Sequence, residues 1–253
     1  MSDFEASMSM LQNVNVLIYI GKGILFTLII SVIAVLISIL LGAILAVIRN
    51  YCTKGWTKVF RWLASLYIEM FRNTPLLLWI FICVVFCPAP ELFNRKMFGL
   101  TSVEAKLLWK AAMALILFES SIIAEIIRGG LNAVAKGQFE AAHSQGFGII
   151  QTFIYIILPQ AFRSIVPTLL GQVISTIKDS SYLANVAVIE LMARVKQILS
   201  AAGQYNGTMN IHSSDVFVLF GFAALIYFII NFSLSLAVRN MNERRKKPAG
   251  GIG

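Results

Sequence analysis

Along most of this chain the apolar residues do not alternate with polar ones but run together. A membrane-spanning helix needs about 20 mostly apolar residues, because in lipid only a helix or a closed barrel satisfies its own backbone. Four runs reach that length: about Ile24 to Ile48, Leu63 to Phe86, Leu107 to Ile127 and Val216 to Val238. Ala161 to Ile177, with Pro159 before it and Lys178 and Asp179 after it, is shorter but compatible with a fifth. The pattern predicts an all-α, polytopic membrane protein of five transmembrane helices. Tyr182 to Met192 is apolar yet only about half a membrane thickness long as a helix, so a re-entrant or interfacial helix is expected there. Gly203 to Ser214 reads as an exposed loop.

Composition agrees: with 58% hydrophobic and 13% charged residues and a mean hydropathy of +0.80, the chain has too little polar surface to cover a water-soluble globule. Its net charge of +9 sits in short clusters between the apolar runs, which argues for membrane topology and against a nucleic-acid partner. Arg49, Lys54, Lys58 and Arg61 make the first connection purely basic, hence cytoplasmic. The second (Glu91, Arg95, Lys96, Glu104, Lys106) is balanced and belongs outside, the third (Arg128, Lys136, Glu140) returns inside, and Arg239, Arg244, Arg245, Lys246 and Lys247 make the tail basic. Five spans, N-terminus out and C-terminus in, satisfy every segment. Asp3 and Glu5 stand where a signal peptide carries lysines, so the first run is expected to be retained. The division expected is an extracytoplasmic segment 1–20, a transmembrane domain 21–240 and a basic cytoplasmic tail 241–253. Cys52, Cys83 and Cys87 lack a partnered framework, and with only His143 and His212 beside them no metal site is expected.

The third connection contains a short helical element, Gln138 to Gln145, between Gly137 and Gly146. Glu140 in its first turn suits the helix dipole and a basic group on another protein, Ala141 and Ala142 leave room for close approach, and Gly146 supplies a left-handed end. The alternative is an amphipathic helix resting on membrane lipid. Within the runs, Glu69 and Arg72 are three apart and able to neutralise each other, and Arg72 and Glu119 count out near the midplane. Such charges mark either a substrate path or an internal pair. Pro75 removes a backbone donor beside them, and Thr74 could satisfy a freed carbonyl or touch a solute. Gln172 and Asp179, seven apart, share a helix face, where Asp179 would take an ammonium group, Lys178 or Arg72 a carboxylate, and Gln172 a side chain. Lys178 and Asp179 could equally be interfacial caps. No phosphate-binding loop occurs, so the chain itself should bind no ATP.

The full spacing, Glu140-Ala141-Ala142, three residues, Gly146, nine residues, Ile156, one residue and Leu158-Pro159, resembles the EAA signature of the membrane subunits of bacterial ATP-binding-cassette importers. Glu69-Met70-Phe71-Arg72-Asn73-Thr74-Pro75-Leu76-Leu77 resembles an element of the polar amino acid permeases, with Asn73 in place of a glycine. Ala124-Glu125-Ile126-Ile127-Arg128-Gly129-Gly130 and Lys178-Asp179-Ser180-Ser181 look like two more elements of that His/Glu/Gln/Arg/opine permease family. The resemblance implies a type I importer transmembrane domain in a bacterial inner membrane, with a coupling loop over about 129–160. It further implies a second permease subunit, two ATPase subunits that bind ATP and magnesium, an extracytoplasmic binding protein, and an amino acid as solute. Glu69, Arg72, Thr74, Glu119, Gln172, Lys178, Asp179, Ser180 and Ser181 are then expected along the substrate path. A neutral Gln172 favours glutamine or glutamate over arginine, histidine or cystine. An intramembrane enzyme lacks a nucleophile and base or metal ligands, and a passive channel leaves the docking helix without a purpose.

Overall fold

The computed structural model describes residues 3–96, 99–208 and 210–246, with side chains up to Glu243. Their elements are helical: α1 (Asp3–Met10), α2 (Val14–Tyr51), α3 (Thr57–Arg72), α4 (Leu76–Phe86), α5 (Ser102–Asn132), α6 (Lys136–Ser144), α7 (Ile149–Thr152), α8 (Leu158–Asp179), α9 (Leu191–Ser200), α10 (Ala202–Tyr205) and α11 (Ser213–Lys246). Short 3-10 turns cover Glu91–Asn94 and Ser180–Val186, and a π-helical turn, Phe153–Ile157, joins α7 to α8. Four stretches are long and apolar enough to cross a membrane, Val14–Tyr51, Ser102–Asn132, Ile149–Val186 and Ser213–Glu243, and α3 with α4 makes a fifth if that broken pair is one crossing.

Several boundaries differ from those the sequence suggests. The first apolar helix starts at Val14 rather than near Ile24, because Leu17, Ile18 and Ile20 extend its apolar run through the Gly21-Lys22-Gly23 interruption. The expected 1–20 segment is therefore α1 plus the first turns of α2. The Leu63–Phe86 run is two helices bent by 111° at Asn73–Pro75. The helix over Ala161–Ile177 opens at Leu158, and the π turn before it makes it continuous with a helical stretch that starts at Ile149, so Pro159 does not mark its beginning. The helix expected at Tyr182–Met192 forms instead at Leu191–Ser200, after a 3-10 turn over Ser180–Val186. Ala187 takes a left-handed conformation (φ 56°) that stops the preceding 3-10 turn, and Glu190 opens the new helix by accepting from the Met192 and Ala193 N–H groups. The expected loop 203–214 begins with the short α10. Of the basic tail, residues 247–253 lie outside those described.

The chain divides into two compact units. In the first (1–34, 77–115 and 175–234), α9 packs Leu191, Val195 and Ile198 against Met10 of α1, Val16 and Ile20 of α2 and Leu219 and Ala223 of α11. Two buried acids tie the unit together. Asp215 accepts from Ser7 Oγ (2.6 Å), Asn206 Nδ2 (2.9 Å) and the His212 N–H (2.8 Å), fastening α1 to the start of α11. Glu190 accepts from Tyr227 Oη (3.0 Å) on α11 and lies 3.5 Å from Thr27 Oγ1 on α2. Burial pushes its carboxyl up from the ordinary value, against the pull of these donors and two backbone N–H groups.

In the second unit (35–76, 116–174 and 235–253), α2 and α5 run in the same direction: Ser38 Oγ donates to the Ile116 carbonyl (3.0 Å) and Asn50 Nδ2 to Asn132 Oδ1 (3.1 Å). Gly42 permits that approach, because a Cβ there would meet Ile123 Cγ2 at 2.9 Å, Ala124 N at 3.0 Å and Ser120 O at 3.0 Å, two of which are backbone atoms that cannot swing away. Gly42→Val is therefore expected to cost about 1–3 kcal/mol of stability, by overpacking, and to lower the thermal midpoint of the chain in detergent. An unchanged midpoint would show that α2 and α5 do not pack this tightly.

Candidate functional site

The loop after α5 folds back as α6 and rests on a base in the second unit. Phe139 of α6 packs against the buried Leu131, Ile157, Ala161 and Ile165, and Gln160 Nε2 donates to Gln138 Oε1 (3.1 Å). Ala142 is buried while Glu140 and Ala141 are exposed, so α6 presents the acid outward. Gly146, at φ 82°, ends the element in the left-handed region, and the Phe147 N–H closes it by donating to the Ala142 carbonyl (3.1 Å). The helix starts two residues earlier than expected. Glu140 is thus its fifth residue, past the free N–H groups of the first turn, and the dipole has little hold on it. Beside it Ile149, Ile150 and Tyr155 are largely exposed.

Near the ends of α2 and α5, Glu125 gathers guanidinium groups. Arg49 Nη1 donates to Glu125 Oε1 at 2.5 Å, Arg128 approaches through Nε (3.0 Å) and Nη2 (2.8 Å), and Arg72 Nη1 stands 3.8 Å from Glu125 Oε2. The other arm of Arg49 reaches Glu69 (2.8 Å). Three cations against two anions leave the group with one positive charge in excess. Glu69 and Arg72, for which the sequence left open a mutual pair or a substrate path, are both members of this network, Glu69 through Arg49 and Arg72 beside Glu125. Arg49 lies two residues from the end of α2 and Glu125 seven from the end of α5.

The break itself is built from side chains. Asn73 Nδ2 donates to the Glu69 carbonyl (2.8 Å), Thr74 Oγ1 donates to the Met70 carbonyl (2.6 Å), and Pro75 has no N–H to leave unmet. Thr74 thus does satisfy a freed carbonyl. Asn73 sits at φ −99°, which any L residue adopts, so no glycine is required there and the amide adds a cap.

Glu119 and Gln172 also come together in the second unit, with Gln172 Nε2 donating to Glu119 Oε2 (2.7 Å). Glu119 is fully buried, flanked by the buried Ser120 and Ser121, and the Tyr67 hydroxyl donates to the Leu117 carbonyl (2.8 Å) and lies 2.8 Å from Ser120 Oγ. Lys178, Asp179, Ser180 and Ser181 fall in the first unit, at the end of α8 and the start of the 3-10 turn. Lys178 is exposed, Asp179 half-buried, and Ser180 Oγ donates back to the Ile177 carbonyl (2.8 Å). Sequence reasoning did not single out Arg49, Glu125 and Arg128 as site residues. The signal was there in the i, i+3 spacing of Glu125 and Arg128, but the third partner comes from 76 residues away. Among the described residues no group of three His, Cys, Asp or Glu side chains is placed to hold a metal.

Residues 38–247 match the family of binding-protein-dependent transport system inner membrane components. The chain belongs to that family: it is a membrane subunit of an ATP-binding-cassette importer, a transport protein and not an enzyme. It is 36% identical over 231 residues to the probable glutamine ABC transporter permease protein GlnP of Bacillus subtilis, covering 90% of this chain and 94% of that one. The glutamate/aspartate import permease protein GltK of Escherichia coli O6:H1 is 34% identical over 229 residues, covering 89% and 93%. Among solved structures, an amino acid ABC transporter crystallised with histidines superposes with a TM-score of 0.72 at 27% identity, over 92% of this chain and 97% of that one. The fold is that of a type I importer permease.

Removing the Glu125 charge leaves three guanidinium groups facing one another in a half-buried place. Glu125→Gln is expected to cost about 2–4 kcal/mol in denaturant unfolding of the detergent-solubilised chain. The half-exposed Glu69→Gln should stay within about 1 kcal/mol of the parent. Equal losses from the two would show that Glu125 is not the hub.

Proposed function

We propose that this permease carries a polar amino acid, glutamine or glutamate in preference to arginine, histidine or cystine, inward across a bacterial plasma membrane by alternating access. In this reading the N-terminus faces out, the C-terminus faces in, and 241–253 forms the basic cytoplasmic tail. The observation that carries it is α6, an exposed Glu140-Ala141 surface on a firmly packed base, closed by Gly146 and bordered by uncovered apolar side chains. Such a surface suits a partner protein. Two ATPase subunits, which bind the ATP and magnesium that this chain has no motif for, dock on α6 and on its counterpart in a second permease subunit. An extracytoplasmic binding protein delivers the solute at the other face.

The substrate path runs past Gln172 and Glu119, with Arg72, Glu69, Thr74, Lys178, Asp179, Ser180 and Ser181 as further polar groups along it. The names of the glutamine and glutamate/aspartate relatives support this choice, as does the amide at Gln172, which hydrogen-bonds without demanding a cationic side chain. Glu140→Lys is expected to abolish co-purification with the ATPase subunit and to reduce uptake by the reconstituted complex at least tenfold, about 1.4 kcal/mol or more of lost coupling. Normal ATP-coupled uptake by that variant would refute the role of α6.

In proteoliposomes, unlabelled glutamine should compete with labelled glutamine uptake more strongly than arginine or histidine does. Stronger competition by arginine would overturn the substrate reading and leave the ATPase docking reading intact.

A further inference from the structure

The first connection and the start of α3 carry cations that the protein does not use internally. Arg49, Arg72 and Arg128 are engaged by Glu69 and Glu125. Lys54, Lys58 and Arg61 are all exposed, and among the described residues their side chains have no hydrogen-bond or ion-pair partner. No acidic residue occurs between Asn50 and Ile68 to supply one. Lys58 and Arg61, three apart on α3, share one helix face, and Lys54 sits just before them in the turn where its carbonyl accepts the Thr57 hydroxyl and N–H, so the cations make a short basic stripe at the start of α3.

Alongside that stripe α3 exposes a broad apolar surface. It buries only Ala64, Ile68 and Phe71, and leaves Trp56 91%, Phe60 60% and Trp62 62% exposed, with Val59, Leu63, Leu66 and Met70 continuing the face. We infer that this stripe and the aromatic face beside it form a binding site for an anionic phospholipid. The headgroup phosphate meets Lys54, Lys58 and Arg61, and the acyl chains lie on Trp62, Leu63 and Leu66. The pairing follows from chemistry. Lysine and arginine stems cover apolar surface while their heads reach toward phosphate, and indole rings settle at the headgroup level. An acidic protein would answer the charge but not the apolar strip that runs on to Met70; a lipid answers both.

The test uses the full chain in nanodiscs, with Trp79→Phe and Trp109→Phe so that Trp56 and Trp62 report. Phosphatidylcholine discs receive a small fraction of either brominated phosphatidylglycerol or brominated phosphatidylcholine, and fluorescence quenching is compared. Quenching by the anionic lipid should exceed that by the neutral one at least about threefold, given the attraction of clustered cations to anionic lipid. The ratio should fall to about one in Lys54→Gln/Lys58→Gln/Arg61→Gln and be kept in Lys54→Arg/Lys58→Arg. Because the quencher is on the acyl chain, a free phosphate gives no signal. Equal quenching by both lipids in the parent, no quenching by either, or a ratio unmoved by the triple substitution would overturn the site. Should the tryptophan-free positions fail to fold, phosphatidylglycerol retained by the unmodified chain, counted by native mass spectrometry, gives the same readout: loss of the excess over phosphatidylcholine in the triple variant is expected, and its persistence refutes the inference.

Discussion

One carboxylate, Glu125, holds the second unit in register. It is the point at which α2, α3 and α5 meet, taking Arg49 from the first, Arg72 from the second and Arg128 from its own helix. A partly buried charge of this kind is stabilised by opposite charges and donors around it. That arrangement fixes which residues face inward on three separate helices. Arg49 extends the network to Glu69, so the end of α3 is set by the same group. The caps of Asn73 and Thr74 then begin where the ion network stops. The base of α6 is built on the turn of α5 that follows, through Leu131.

The first unit solves the corresponding problem with hydrogen bonds instead of ion pairs. Glu190 and Asp215 are both fully buried and both sit at helix starts, where N–H groups would otherwise be unmet. Each also reaches a hydroxyl or amide from a distant part of the chain: Thr27 and Tyr227 in one case, Ser7 and Asn206 in the other. The result is that α9, too short to cross a membrane, is anchored at its first residue and packed along its length.

Much of this was legible in the sequence, and what was missed has identifiable causes. Long apolar runs give the helices because lipid leaves the backbone no other way to pair. The Glu140 loop was legible because its composition breaks so sharply from its flanks, with Gly146 marking its end. The break at Asn73–Pro75 was half legible. Proline announced an interruption, but a local pattern does not carry the angle at which two helices leave it. Tyr182–Met192 was misplaced because its apolar residues pack on several sides of an irregular segment, which mimics helical composition without helical period. The Glu125 network was hidden for a different reason. Arg49 reads as a topology charge when taken alone, and only the close passage of α2 and α5 at Gly42 brings it within reach of its partner.

The π-helical turn at Phe153–Ile157 has a consequence for how the two halves of its segment relate. A wider turn accommodates an extra residue, and one residue is worth about 100° of rotation around a helix axis. The side chains before it, which include the exposed Ile149 and Ile150 beside α6, and those after it, which include Ala161, Ile165 and Gln172, are therefore indexed on separate angular scales. Deleting a single residue there would re-clock the exposed Ile149–Ile150 edge against the helix that follows while leaving the sequence of both unchanged. The segment acts as a phase shifter, setting the edge beside α6 and the face that carries Gln172 on independent phases of one nearly continuous rod.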